Sequence, residues 1–345
     1  MSMHPFLLKP AKSILGGILL LLFGSLSFGE KPNFQLSWPT PNPAFAKGLG
    51  YSTFLQKTGP DKEFSSGAFG CVRNNGYKFH EGLDLYPVRR DKRGRAEDSI
   101  FAITGGTVTH INATAGYSAY GKYIVLEHKN LTPSLYSLYA HLDSISPKLA
   151  VGSKVSIAQV IGKMGNSSSG YRIPLDRSHL HFEIGLRLTN QFQNWYTKKR
   201  FSSKNRHGNY SGFNLVGIDP IHFYSEYKKK SFATPADFIR SLSPSVIVQV
   251  KTEKTPDFVT RYPSLSTTEK SGSSNGWKAT FGPFGIPLLI EPVSKPIGPQ
   301  EKQVKILSFN PDSQKKPCRR LTKKIGDRYI PAEQLQTYLE LLFEL

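Results

Sequence analysis

Ser178-His179-Leu180-His181-Phe182-Glu183-Ile184 alternates polar and apolar residues with period two, the pattern of a β-strand with one face in a core. His179, His181 and Glu183 fall on one face, and Leu180, Phe182 and Ile184 on the other. Runs of the same kind, Thr107 to Ile111, Tyr123 to Glu127 and Ser137 to His141, are separated by Gly105-Gly106, Gly116, Gly121, Gly152, Gly162 and Gly165, residues suited to turns and bulges. No Lys-Ser or Lys-Thr pair opens a helix after Gly162 or Gly165, so these glycines are not a phosphate loop. Without a long amphipathic helix between the runs, the expected fold is all-β: an antiparallel sandwich or barrel-like sheet with long loops.

Neighbouring histidines on one strand face repel when both are protonated, so the face makes most sense with a metal or a hydrogen-bond acceptor before it. A solvent-facing polar stripe is the alternative. In Phe79-His80-Glu81-Gly82-Leu83-Asp84, the even spacing puts His80 and Asp84 on one face of an extended strand, where a surface salt bridge would also account for them. Leu138-Tyr139-Ala140-His141-Leu142 ends a third strand in a histidine, which alone reads as structural. Taken together, His80, Asp84 and His181 supply two nitrogens and one oxygen, the three-ligand set that leaves a zinc ion an open position for water. His141 and His179 remain for proton transfer. Glu183 is either a partner that orients an imidazole or half of a surface salt bridge. His110, His128, His207 and His222 lack a paired ligand and read as structural or solvated.

With these residues in place, the chain resembles the lysostaphin and LytM type of zinc metalloendopeptidase, the duplicated-hybrid-motif peptidases. The HxxxD motif of that family matches His80 and Asp84, and its HxH motif matches His179 and the ligand His181. Its separate catalytic histidine matches Tyr139-Ala140-His141-Leu142. Phe69-Gly70, Arg73, Gly121 to His128, Val151-Gly152, Val160 to Asn166 and Asp219-Pro220 agree as well. Over roughly Phe64 to Tyr224 the resemblance implies Zn2+ on His80, Asp84 and His181, with His141 and His179 catalytic. It further implies hydrolysis of peptidoglycan stem peptides or cross-bridges. The loop from Gly165 to Ser178, with Tyr171, Arg172 and Asp176, departs from the family pattern, as does the charged stretch from Tyr86 to Asp98. Both are expected to border the substrate groove. Relatives that lose the metal serve as wall-binding regulators of other hydrolases, but here every ligand is present. A biotin- or lipoyl-type carrier shares the Val-Gly turn and leaves the histidines unexplained.

The remaining sequence places this unit in a cell envelope. Lys9 and Lys12 precede an apolar run from Ile14 to Phe28 that is short for a membrane span, so residues 1–29 read as a signal peptide, with an uncleaved anchor as the alternative. Export to the periplasm, cell envelope or extracellular space follows. Lysine and arginine outnumber acids 45 to 25, which draws the chain to polyanionic envelope surfaces; without a zinc-finger spacing or a basic heptad helix, nucleic acid is not an expected partner. Cys71 and Cys318 are the only cysteines, and after export they are expected to pair. Residues 30–63 form a lead-in and 64–228 the β domain. Residues 229–345 form a basic extension or small second domain, with strands at Val246 to Val250, Trp277 to Phe281, Ile286 to Ile290 and Val304 to Phe309. A closing helix there carries Leu335, Tyr338, Leu339 and Leu342 on one face. Thr234-Pro235 reads as a helix start, and Arg187 to Gly217 as a long surface loop.

Overall fold

The structure is a computed structural model that describes residues 7–8, 32–60, 63–267, 275–293, 298–300, 302–315 and 318–345. The expected signal peptide lies outside the described residues apart from Leu7–Leu8, which pair antiparallel with Leu36–Ser37. Among the described residues no helix is long and apolar enough to cross a membrane.

The strand that carries His181 runs from Leu180 to Arg187 and lies inside a seven-stranded antiparallel sheet. The order across that sheet is Lys154–Val155, Gly106–Asn112, Tyr123–His128, Leu135–Ala140, Leu180–Arg187 and Leu215–Gly217, with Leu83–Leu85 paired to the first half of Leu180–Arg187. The sheet is open, and no barrel closes among the described residues. As the alternation requires, Leu180, Phe182, Ile184 and Leu186 are fully buried in the main core. A three-stranded sheet, Leu142–Ile145, Val160–Met164 and Ser99–Phe101, shares that core through Leu142, Ile161, Met164 and Ile100. The molecule is thus mostly antiparallel sheet, as its sequence leads one to expect.

Register sets up the site. His181 sits opposite Asp84 on one neighbouring strand and opposite Ala140 on the other, and residues directly opposite in an antiparallel pair share a face. Asp84 and His181 therefore stand side by side. The segment between His80 and Asp84 lies flat on the central strand because residue 82 is glycine: a Cβ there would come within 2.2 Å of Phe182 O. His80 ends the hairpin of Gly70–Arg73 and Lys78–His80.

The stretch from Arg187 to Gly217 is more ordered than a surface loop. Phe192, Trp195 and Tyr196, spaced i, i+3 and i+4, form one face of a helix from Phe192 to Lys198, with Phe192 and Trp195 buried. Leu215–Gly217 then joins the sheet. Asp219 caps the helix Pro220–Lys229 by accepting from the backbone N–H of Ile221 and His222, and Thr234 and Asp237 form a capping box on Pro235–Ser241.

Beyond it, four strands make an antiparallel sheet in the order Pro287–Pro292, Gly276–Phe281, Val246–Lys251 and Val304–Phe309. The helix Glu333–Phe343 buries Leu335, Tyr338, Leu339 and Leu342. One apolar core runs continuously from Leu36 through Phe182 to Phe343. A disulfide between Cys71 and Cys318 ties the C-terminal part to the hairpin that bears His80.

Candidate active site

His80, Asp84 and His181 converge within the floor of a cleft of about 500 Å³. His80 Nε2 lies 3.2 Å from Asp84 Oδ1 and 3.1 Å from His181 Nδ1, and His181 Nδ1 lies 3.1 Å from the same Asp84 oxygen. All three side chains are buried, which removes the surface salt bridge and the solvent-facing stripe as explanations.

Hydrogen bonds at the far side of each ring fix the tautomers. His80 Nδ1 donates to Ala68 O at 2.8 Å, and a carbonyl only accepts. His181 Nε2 donates to Glu183 Oε1 at 2.9 Å. In the neutral rings His80 Nε2 and His181 Nδ1 are then both lone pairs, and they face an Asp84 oxygen that also carries only lone pairs. Three such atoms at about van der Waals contact repel unless a metal ion, or a proton on His181, sits among them. The other Asp84 oxygen, Oδ2, pairs with Arg73, leaving Oδ1 for the shared space. The donor set and its outer partners therefore fit a metal ion with one ligand atom from each residue.

The two remaining histidines point their free nitrogens the same way. His141 Nδ1 donates to Ser167 O and His179 Nδ1 to Arg177 O, both at 2.8 Å, so that Nε2 of each is an acceptor. His179 Nε2 lies 3.6 Å from Asp84 Oδ1, and the His141 ring centroid is 5.0 Å from that of His179 and 5.8 Å from that of His181. His141 reaches this place by leaving its strand. Regular alternation would put it on the core face with Tyr139, but its φ is +60°, a left-handed backbone that turns the ring into the cleft and returns Leu142 to the core. Such conformations cost of order 1–3 kcal/mol and gather at functional sites.

Burial holds the His141 imidazole well below its ordinary pKa, aided by the neighbouring His179 and His181. It lowers His179 and His80 too. For Asp84 burial acts upward, yet His80 and Arg73 outweigh it and keep the carboxyl well below the usual range. Burial also opposes a cation on His181, but the hydrogen bonds to Asp84 and Glu183 overcome it and raise that group to about 9. The site is built to keep His141 and His179 as neutral bases beside a position that calls for positive charge.

Glu183 is a buried partner of His181 rather than a surface residue, and it also accepts from Tyr120 at 2.7 Å and Tyr136 at 3.0 Å. Tyr120 and Tyr136 carry no spacing signal in the sequence, and Arg73 stands out there only through the family resemblance, with no role attached. The loop from Gly165 to Ser178 does border the cleft, through Tyr171, Arg172 and Arg177 among others. The charged stretch from Tyr86 to Asp98 contributes nothing to that wall and instead braces the loop from behind. Arg90 donates to Ser178 Oγ at 2.8 Å and to Ser178 O at 3.0 Å, and the backbone N–H of Ala96 donates to Ser178 Oγ.

An antiparallel sheet presenting two histidines, an aspartate and two spare bases to one cleft has the makings of a metal-dependent hydrolase. The model of Peptidase family M23 matches residues 78–194, so the resemblance read from the motifs stands over the segment that holds His80, Asp84, His141, His179 and His181. Among solved structures, a Ruminococcus gnavus protein assigned as a glycyl-glycine endopeptidase LytM is 22% identical, with 45% of this chain and 49% of that one covered and a TM-score of 0.29. The catalytic domain of lysostaphin, an antimicrobial peptidase of Staphylococcus simulans, is 21% identical over 46% of this chain and 87% of its own, with a TM-score of 0.27. The catalytic domain of the prophage-encoded M23 protein EnpA of Enterococcus faecalis, solved as a point mutant, is 21% identical over 39% of this chain and 82% of its own, also with a TM-score of 0.27. The chain spans about half the length of the first of these. No curated protein matches it.

Proposed function

We propose that this protein is an exported zinc endopeptidase that hydrolyses peptide cross-links of peptidoglycan. The observation that carries the reading is the convergence of His80 Nε2, Asp84 Oδ1 and His181 Nδ1 next to two histidines whose Nε2 atoms are acceptors. Two imidazoles and one carboxylate suit zinc. When bound there, the ion supplies a Lewis acid that acidifies water and polarises a carbonyl. His179 and His141, neutral and fixed as Nε2 acceptors, take the proton of the attacking water and return one to the leaving amine. The Tyr171 hydroxyl, 3.5 Å from His141 Nε2, lies within reach of the same reacting region. Arg73 holds the far oxygen of Asp84, and Glu183 fixes the His181 ring, so neither ligand has to reorganise during the reaction.

Residues 64–228 hold the catalytic machinery in this reading, and residues 229–345 are an extension fastened to it. The Cys71–Cys318 disulfide suits an oxidising envelope, and the basic surface suits the anionic wall. Purified peptidoglycan is the deciding substrate: incubation with the zinc-loaded protein should release peptides, a strong chelator should stop the release, and added zinc should restore it. A protein that stays metal-free in zinc-containing buffer, or that binds zinc and cuts no wall peptide, would end this reading.

A further inference from the structure

The cleft has an uneven charge balance. Its described wall contains two carboxylates, and both are taken: Asp84 pairs with Arg73 and the histidines, and Glu81 pairs with Arg319 at 3.0 Å. Arg319 is itself held against the Phe79 ring at 3.8 Å and donates to the Tyr338 hydroxyl at 2.9 Å. Against these stand Lys78, at the start of the strand that ends in His80, and Arg172, in the loop next to Tyr171. Both line the cleft, both are exposed, and no carboxylate among the described residues pairs with either. Arg177 adds a third positive charge, with its guanidinium anchored on Lys57 O at 2.6 Å.

Exposed cations on a groove wall are usually mere solubility charges, but these two stand on separate elements around one reacting centre whose own carboxylates are neutralised. A neutral substrate such as a glycine bridge gives them nothing to bind. We propose that the substrate of this cleft bears free carboxylates close to the scissile bond, and that Lys78 and Arg172 engage them. This rests on the peptidase reading above and deepens it: the favoured class is an acidic cross-linked stem peptide rather than an uncharged bridge.

Recognition is measured separately from cleavage. The probes for the zinc-loaded full chain are an uncross-linked stem-type peptide with all carboxylates free and the same peptide with them amidated, titrated calorimetrically at low and high salt. The free acid should bind about tenfold more tightly, with the advantage shrinking in high salt. The double variant Lys78→Ala/Arg172→Ala should lose the advantage, and Lys78→Arg/Arg172→Lys should keep it. Equal binding of the two peptides by the wild-type protein, or an undiminished advantage in the alanine double variant, overturns the proposal. Cleavage of a carboxylate-bearing dimer and of a glycine-bridged peptide is followed in parallel. A protein that shows the binding preference and cuts neither loses the peptidase reading while carboxylate recognition stands. One that cuts the glycine-bridged peptide at least as well keeps the peptidase reading and loses this inference.

Discussion

His181 and Glu183, two residues apart on one strand, are joined by a 2.9 Å hydrogen bond from Nε2 to Oε1. A carboxylate at that point holds the ring orientation and increases the basicity of Nδ1, the atom facing Asp84 and His80. Glu183→Gln keeps the shape and removes the charge. Zinc affinity should fall by about 10- to 100-fold, with circular dichroism unchanged. Undiminished affinity in a competitive chelator titration would show that Glu183 is only a packing residue.

Metal binding and proton transfer should separate by mutation. Alanine at His80, Asp84 or His181 removes a converging donor, so zinc content and peptide release should fall together. His141→Ala leaves those donors untouched and relieves a left-handed backbone of its imidazole. It should retain near-stoichiometric zinc and lose about 10² or more in turnover. A His141→Ala protein that loses its zinc would make His141 a ligand in practice, and a His181→Ala protein that still cuts normally would remove the metal site.

Much of this site is legible in the sequence because β-structure has a two-residue period. The alternation around His181 separates core residues from site residues, and the HxxxD spacing points to His80 and Asp84 together, although they stand on two strands, Lys78–His80 and Leu83–Leu85, rather than on one. What alternation cannot show is the departure from it. His141 reaches the cleft through a positive φ, which the sequence does not encode visibly. Arg73 and Arg319 arrive through long-range packing, Arg319 from 238 residues beyond Glu81. The helix at Phe192–Lys198 is hidden by its brevity and polar flanks, although Phe192, Trp195 and Tyr196 carry the helical spacing. The stretch from Tyr86 to Asp98 reads as a groove wall because it is charged, whereas Arg90 spends its donors on Ser178 and Leu175.

The disulfide should matter to the site as well as to the fold. Cys71 and Cys318 are 247 residues apart, and closing so long a loop limits the unfolded chain. Replacing both by serine should cost about 2–4 kcal/mol, read as a lower urea midpoint with a steeper slope, because the unfolded chain without the cross-link exposes more surface. Because the hairpin from Gly70 to His80 carries both Arg73 and a ligand, zinc should also leave the serine variant faster. Two reactive thiols in the unreduced, unfolded wild-type protein would contradict the pairing outright.

His128 should give the fold an acid-side weakness that is independent of the metal. It is fully buried, its Nδ1 donates to Gly105 O at 2.9 Å, and its Nε2 lies 2.7 Å from Ser137 Oγ. Burial, only partly offset by the Gly105 carbonyl, pushes its pKa down to about 4. The unfolded chain binds that proton near pH 6.5 and the folded one only near 4. The contribution is therefore complete above about pH 6.5 and is lost progressively as the pH falls toward 4, by about 3 kcal/mol in all. Other groups titrate over the same range, so the measurement is a difference: urea unfolding of wild-type and His128→Gln protein across about pH 4 to 8. Whatever stability the variant lacks at the alkaline end should shrink toward the acid end, because only the wild-type chain gains a proton at this position on unfolding. Parallel stability curves for the two proteins would mean that His128 enters the fold with its pKa unchanged.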